Sequence, residues 1–236
     1  MKPSIVVTGG TKGIGRAIVE IFAQNGFHVL TCSRHQKDID ELKIFLANKY
    51  PEVQFSALVA DLSLKTEVQK FADFVKKESP YLNILVNNAG VFLPGQIQNE
   101  EDGVLEKLIE TNLYSAYHLS RALLGHLLSA DKKHIFNICS TASITPYING
   151  GSYCISKYAL YGMTKVLREE LKDKNIGVTA VLPGATLTSS WENTDLPPER
   201  FMKPEEVAIT IWTIYQIAPQ SIVEEILIRP QLGDIT

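Results

Sequence analysis

Tyr153 and Lys157 stand four residues apart in the run Tyr153-Cys154-Ile155-Ser156-Lys157, a spacing that puts two side chains on one face of a helix. A free phenol titrates near pH 10, so only ~0.1% is ionised at neutrality, and lowering its pKa by ~3 units takes ~4 kcal/mol of differential stabilisation. An ammonium one helical turn away can contribute to that, and the phenol then works as a general acid or base near pH 7. The same spacing recurs at Tyr161 and Lys165. That second pair lies ~12 Å further along the helix axis and ~80° around it, so the two cannot serve one site. Tyr153 is the better placed, because it follows the loop leaving an apolar run that closes in Ser140, and ligands bind at the carboxyl ends of parallel strands. Tyr161 reads as a packing or interface residue.

A second group of residues can hold phosphate. The apolar run Ser4–Thr8 leads into Gly9-Gly10-Thr11-Lys12-Gly13-Ile14-Gly15 and then a helical pattern. Glycines at a strand-to-helix turn let the backbone approach a pyrophosphate resting on free N–H groups at the helix start. A P-loop is excluded, since Arg16 and Ala17 stand where Lys and Ser/Thr are required; a tight turn without ligand is the competing reading. Further on, Cys32-Ser33-Arg34 closes the second apolar run, and the first acid, Asp38, comes four residues after Arg34. A free ribose 2′-hydroxyl wants an acid there and a 2′-phosphate wants a cation. Arg34, with Lys12 as a second cation, therefore favours NADP(H) over NAD(H), unless Arg34 is only a solvated loop residue. A cationic nicotinamide would add to the pull of Lys157 on the phenol.

These residues need a scaffold, and the chain provides a regular one. Apolar, β-branched runs at Ser4–Thr8, Phe27–Cys32, Val53–Ala60, Leu82–Val86, His134–Ser140, Gly177–Leu182 and Ile222–Ile228 read as strands. Helical patterns separate them at Gly13–Asn25, Asp38–Asn48, Lys65–Glu78, Asp102–Ser129, Gly151–Lys174 and Pro204–Ile217. Strands alternating with helices imply an α/β, doubly wound Rossmann fold: a seven-stranded parallel sheet with helices on both faces. No linker, repeat or shift of composition divides the 236 residues, which predicts one dinucleotide-binding and catalytic domain over 1–236. The net charge of −3 provides no basic field for nucleic acid or anionic lipid, and no apolar run reaches the ~18 residues of a membrane span. Cys32, Cys139 and Cys154 form no Cys-x-x-Cys pair, and His118, His126 and His134 lack ligand spacing, so no metal is expected and a reducing cytoplasm is the expected location.

With these motifs in order, the chain resembles the short-chain dehydrogenases/reductases in their compact single-domain branch. Thr8-Gly9-x-x-x-Gly13-Ile14-Gly15 is similar to the family's cofactor turn, Asp61-Leu62 to its adenine contact, and Asn87-Asn88-Ala89-Gly90 to the motif that supports the sheet and lines the cofactor. Asn112 matches the helix Asn whose carbonyl holds a relay water, and Ser140, thirteen residues before Tyr153, matches the substrate-orienting serine. Pro183-Gly184 followed by Thr188 resembles the segment that clamps the carboxamide, with Thr186 where Val or Ile is frequent. The resemblance implies hydride transfer between nicotinamide and a carbonyl carbon. Ser140 would orient the substrate oxygen, Tyr153 exchange its proton, Lys157 hold the ribose and Asn112 link Lys157 to water. The tail to Asp234, with Pro183–Trp191, resembles bacterial sepiapterin-reductase-like members, which implies a ketone, vicinal diketone or pterin as the small-molecule substrate.

Candidate walls of the substrate pocket are Phe92, Leu93, Ile144, Tyr147 and Trp191, and Asp234 could bind a pterin amino group; ordinary packing and an exposed tail carboxylate are the competing readings. The apolar sides of Leu113–Leu128 and Ala159–Leu171 resemble the paired helices of family homodimers and homotetramers. Competing functions are a 3-ketoacyl reductase, an alcohol dehydrogenase, or a non-catalytic NADP(H)-sensing regulator.

Overall fold

The computed structural model describes residues 2–191 and 194–235; the ends of the 1–236 domain assignment, Met1 and Thr236, lie outside the described residues. The seven expected strands all form, as β1 Ser4–Thr8, β2 His28–Ser33, β3 Gln54–Val59, β4 Ile84–Asn87, β5 Lys133–Ile138, β6 Ile176–Pro183 and β7 Glu225–Ile228. They make one sheet of order β3-β2-β1-β4-β5-β6-β7, parallel at every pairing. Strand β7 is shorter than the apolar run predicts because it pairs only with Ala180–Pro183 of β6.

The helices are α1 Gly13–Gln24, α2 Gln36–Lys49, α3 Lys65–Glu78, α4 Val104–Ile109, α5 Ser115–Leu128, α6 Gly151–Leu171 and α7 Pro204–Gln216. Strand β1 shows why its residues are apolar without alternation. Ile5 and Val7 enter a core with Phe22 of α1 and Ile211 of α7, while Val6 enters another with Phe71 of α3 and Leu123 of α5. A strand covered on both faces must be apolar on both.

The long helix expected over Asp102–Ser129 is interrupted. Between α4 and α5, Glu110–Tyr114 form a π-helical turn, a geometry that sequence periodicity does not report and that occurs often at functional sites. Strand β1 lies between β2 and β4, so the connections diverge at this point and open a crevice at the carboxyl ends of the strands.

His134 is buried in β5, stacked on Phe136 at 4.0 Å between ring centroids. Its Nε2 meets the Thr179 hydroxyl at 2.7 Å, and that hydroxyl donates to the Val223 carbonyl at 2.6 Å. The hydroxyl proton is thus committed, and Nε2 is the donor to Thr179. Desolvation, with the charge of Lys132 second, pushes the imidazole pKa down to about 3. Between that value and the ordinary ~6.5 the unfolded chain binds one more proton than the folded one, so stability falls with acidity by up to ~1.4 kcal/mol per pH unit. We expect His134→Gln to lose about 2–3 kcal/mol less than the parent between pH 7 and pH 4.5 in urea titrations; parallel losses would show that His134 does not control the acid limb.

Candidate active site

The crevice is a cleft of about 770 Å³. At one end lies the glycine turn. Gly9 and Gly13 have φ of +64° and +52°, left-handed values that glycine adopts freely, and a Cβ on Gly15 would overlap the Asn88 side chain. The Thr8 hydroxyl accepts the N–H groups of Asn88 at 2.9 Å and Ala89 at 2.8 Å, and the Asn88 amide donates to the Thr8 carbonyl at 2.8 Å. Beneath the turn, Thr31 accepts the Gly10 N–H at 3.0 Å and donates to the Val7 carbonyl at 2.6 Å. The N-cap of helix α1, Lys12, makes no side-chain cap among the described residues, so the first N–H groups of the helix offer an anion cradle at this wall of the cleft. Gly9, Thr11, Lys12, Gly13, Ile14 and Gly15 all line this end, and Ala89 and Gly90 continue the wall.

Ser33, Arg34, Asp61 and Leu62 form the adjoining side of the cleft, where Asp61 accepts from the Ser63 N–H at 3.0 Å and hydroxyl at 2.9 Å. One expectation is corrected here. Asp38 is distant from the glycine turn in sequence, but the first turn of α2 folds it into the cleft wall, and its carboxylate pairs with Lys12 Nζ at 3.0 Å. Lys12 is therefore a shared cation, and Arg34 the one whose side chain carries no such pair among the described residues.

At the other end Ser140, Tyr153 and Lys157 line the cleft together with Pro183, Gly184, Thr186 and Thr188. Ser140 lies just past β5 and caps a short turn over Thr141–Ser143: its hydroxyl accepts the Ala142 N–H at 3.1 Å, and its N–H donates to Ser143 at 3.2 Å. With a lone pair so occupied, its proton is free to be offered to a ligand oxygen. Lys157 is 6% exposed and donates to the Ile138 carbonyl at 2.9 Å. Asn112 stands behind the wall, 1% exposed in the π-helical turn. Its amide accepts the Val91 N–H at 2.8 Å and donates to the Val91 carbonyl at 3.1 Å and to Ser156 at 2.9 Å. A Cβ on Gly90 would lie 3.2 Å from Asn112 Oδ1 and 3.6 Å from Lys157 Nζ.

The electrostatics amend the expectation drawn from spacing alone. Burial pushes the Tyr153 phenol up to about 12, outweighing the downward pull of the Ser140 hydroxyl. The Lys157 ammonium is 5.9 Å from the centre of the phenol ring and is itself pushed down by desolvation. The neighbouring cation does not bring the phenol near neutrality unaided.

Beside Ser140 and Lys157, Phe92 meets the Tyr153 ring edge-on at 4.9 Å and stacks with Trp191 at 6.4 Å. Phe92, Tyr147 and Trp191 line the cleft, whereas Leu93 and Ile144 do not. Asp234 is no solvated tail residue. It lines the cleft and pairs with Arg229 at 3.0 Å, and its Oδ1 is buried without a hydrogen-bond partner among the described residues. Arg200 holds the tail in place by donating to the Gly233 and Asp234 carbonyls, each at 3.2 Å. No sequence signal pointed to Arg200 or Arg229. Tyr161 donates instead to Glu225, beside Lys165, at a separate small cavity between α6 and β7.

Residues 3–198 match the family model described as short chain dehydrogenase, and the chain belongs to that family. It is 30% identical to a sepiapterin reductase of Chlorobaculum tepidum over 100% of this chain and 99% of that one. It is 33% identical to a 3alpha-hydroxysteroid dehydrogenase of Mediterraneibacter gnavus over 84% of this chain and 78% of that one. Among solved structures, an alcohol dehydrogenase from the archaeon Thermococcus sibiricus complexed with 5-hydroxy-NADP superposes with a TM-score of 0.92 at 22% identity, covering 100% of both chains. A metagenomic short-chain oxidoreductase in complex with NADP superposes with a TM-score of 0.84 at 28% identity, covering 98% of both. The protein is a short-chain oxidoreductase with a Rossmann-like fold, and these two structural neighbours carry NADP or its 5-hydroxy derivative.

In the nucleotide-free protein, an ultraviolet difference titration of the parent against Tyr153→Phe should show no ionisation of this phenol below about pH 11. Ionisation near pH 7 would mean that Lys157 suffices alone.

Proposed function

We propose that this chain is an NADPH-dependent carbonyl reductase acting as one catalytic unit, with a ketone or vicinal diketone, a pterin side chain such as that of sepiapterin among them, as substrate. The observation that carries the reading is the meeting of Ser140, Tyr153 and Lys157 at one end of a cleft whose other end is an uncapped glycine cradle. The residues fit the cofactor. Gly9–Gly15 would hold the pyrophosphate, Asp61 and Leu62 the adenine, Asn88–Gly90 the facing wall, and Pro183, Gly184, Thr186 and Thr188 the carboxamide. Ser33, Arg34 and Lys12 would take the 2′-phosphate, with Asp38 opposing it.

Bound NADPH would supply the hydride that reaches the carbonyl carbon. Ser140 donates a hydrogen bond to the carbonyl oxygen and stabilises the charge that develops there. Tyr153 gives that oxygen its proton. Lys157 steadies the resulting phenolate and holds the ribose hydroxyls, and Asn112, tied to Val91 and Ser156, connects Lys157 to solvent. Because desolvation alone drives the phenol the wrong way, Lys157 would need the added positive charge that an oxidised cofactor supplies when bound to favour the phenolate. The aromatic walls Phe92, Tyr147 and Trp191 suit a flat substrate, and Asp234 Oδ1, without a partner among the described residues, is an acceptor for an amino group. The full-length similarity to a sepiapterin reductase supports the same choice. Exposed Tyr114, Tyr117, Tyr158 and Val166 on the π-helical turn, α5 and α6 support a homodimer or homotetramer built on those helices, in the cytoplasm.

A panel of ketones, diketones and pterins followed by NADPH absorbance tests the reading. Tyr153→Phe should lower turnover by about 10²–10⁴ while NADPH still binds; unchanged turnover would refute the assignment, and inactivity across the panel would favour the sensor. Arg34→Asp should weaken NADPH binding by about tenfold or more and spare NADH, whereas Asp38→Asn should tighten NADPH by several-fold, on the order of 1 kcal/mol for one nearby charge. Equal NADPH affinities across parent and variants would refute the 2′-phosphate assignment.

A further inference from the structure

Helix α6 carries Tyr153 in its first turn, yet its N-cap, Gly150, has no side chain with which to cap it. The cap comes from far away in sequence. Glu100, in the loop between β4 and α4, accepts the Ser152 N–H on Oε1 at 2.9 Å and the Ser152 hydroxyl on Oε2. A carboxylate at a helix start both satisfies an orphan donor and meets the positive end of the helix dipole. The loop is shaped for this contact: the Glu100 N–H donates to the Gln96 carbonyl at 2.9 Å, and Gly95 pairs with Gly150 through a bridge and donates to Asn149 at 2.9 Å. A Cβ on Gly95 would lie 2.8 Å from Glu100 Cγ, and one on Gly151 would overlap the carboxylate.

The same loop begins with the cofactor-side wall Asn88–Gly90 and contains Phe92, whose ring abuts Tyr153. One carboxylate thus ties that wall to the backbone position immediately before the phenol. We propose that Glu100 is a positioning residue for Tyr153, locking the first turn of α6 against the β4–α4 loop so that the phenol is held in register with the cofactor wall and Lys157. The proposal rests on the reading of Tyr153 as the proton donor. A misplacement of ~1 Å at such a group costs up to ~10²-fold in rate.

Lys157 and Cys154 face Tyr153 from its own helix, Cys139 from just past β5, and Tyr147 from the loop before α6. Positioning and simple charge effects predict opposite signs. Deleting a negative charge near the phenol would ease its ionisation, whereas loosening its approach to Lys157 and the cofactor would hinder it. The test is an ultraviolet difference titration of Tyr153 in NADP⁺-saturated protein, each variant read against its Tyr153→Phe counterpart. Glu100→Ala should raise the phenol pKa by about half a unit or more, and Glu100→Gln, of equal size and able to accept the N–H, should restore it. Ser152→Ala, which deletes only the hydroxyl contact, should give a smaller shift of the same sign and serves if Glu100→Ala does not fold.

On the best carbonyl of the panel, Glu100→Ala should lose about tenfold in kcat with KM and NADPH affinity unchanged. Coincident titrations of Glu100→Ala and parent, or a lowered pKa in both Glu100 variants, would overturn the proposal. Failure of the underlying reading looks different: full turnover in Tyr153→Phe, or no NADP⁺ binding by the parent.

Discussion

Desolvation at the foot of α6 is the constraint around which the active end of this protein is built. Lys157 is 6% exposed and, among the described residues, has a single protein acceptor, the Ile138 carbonyl at 2.9 Å. Burial lowers the affinity of the amine for its proton and raises that of the phenol beside it, so both groups are driven toward neutrality. An isolated pair of this kind resists charge separation. Ionisation of Tyr153 therefore depends on what is brought to the pair, and Tyr153, Lys157, Pro183 and Gly184 line one cleft.

Holding that volume open is the work of polar ties between loops rather than of the sheet alone. Thr8 receives two N–H groups from the β4–α4 loop. Asn112 takes both backbone groups of Val91 and reaches Ser156 of α6, and Glu100 reaches Ser152. Each tie joins segments far apart in sequence, and each satisfies groups that would otherwise be left buried without partners, a cost of ~1–3 kcal/mol apiece. The π-helical turn at Glu110–Tyr114 belongs to the same arrangement, since it carries the Asn112 side chain that serves both Val91 and α6.

The two ends of the cleft share a further trait: cations that are matched within the protein by acids. Lys12 is paired with Asp38 at the glycine turn, and Asp234 with Arg229 elsewhere on the cleft wall. Charge at the cleft is consequently a balance between close partners, with the Arg34 guanidinium outside any ion pair and the Asp234 Oδ1 without a hydrogen-bond partner among the described residues.

Sequence alone was enough for the architecture, and it named Ser140, Tyr153 and Lys157, which the structure brings together in one cleft. Seven β-branched runs separated by helical periods specify a sheet covered on both faces, because only such strands are apolar at every position, as Ile5, Val6 and Val7 are. Glycine at 9, 13 and 15 and the Tyr153/Lys157 spacing were equally legible, since local backbone geometry and helical period determine what they can do. What only the tertiary structure decided are the relations that depend on where distant segments meet: Asp38 folded back onto Lys12, Asp234 fastened by Arg229 and Arg200, Glu100 capping a helix that begins 51 residues later, and the sign of the Tyr153 shift. Residue spacing encodes which groups share a helix face, but desolvation and long-range ion pairs are properties of a packed interior, and no local pattern in the chain carries them.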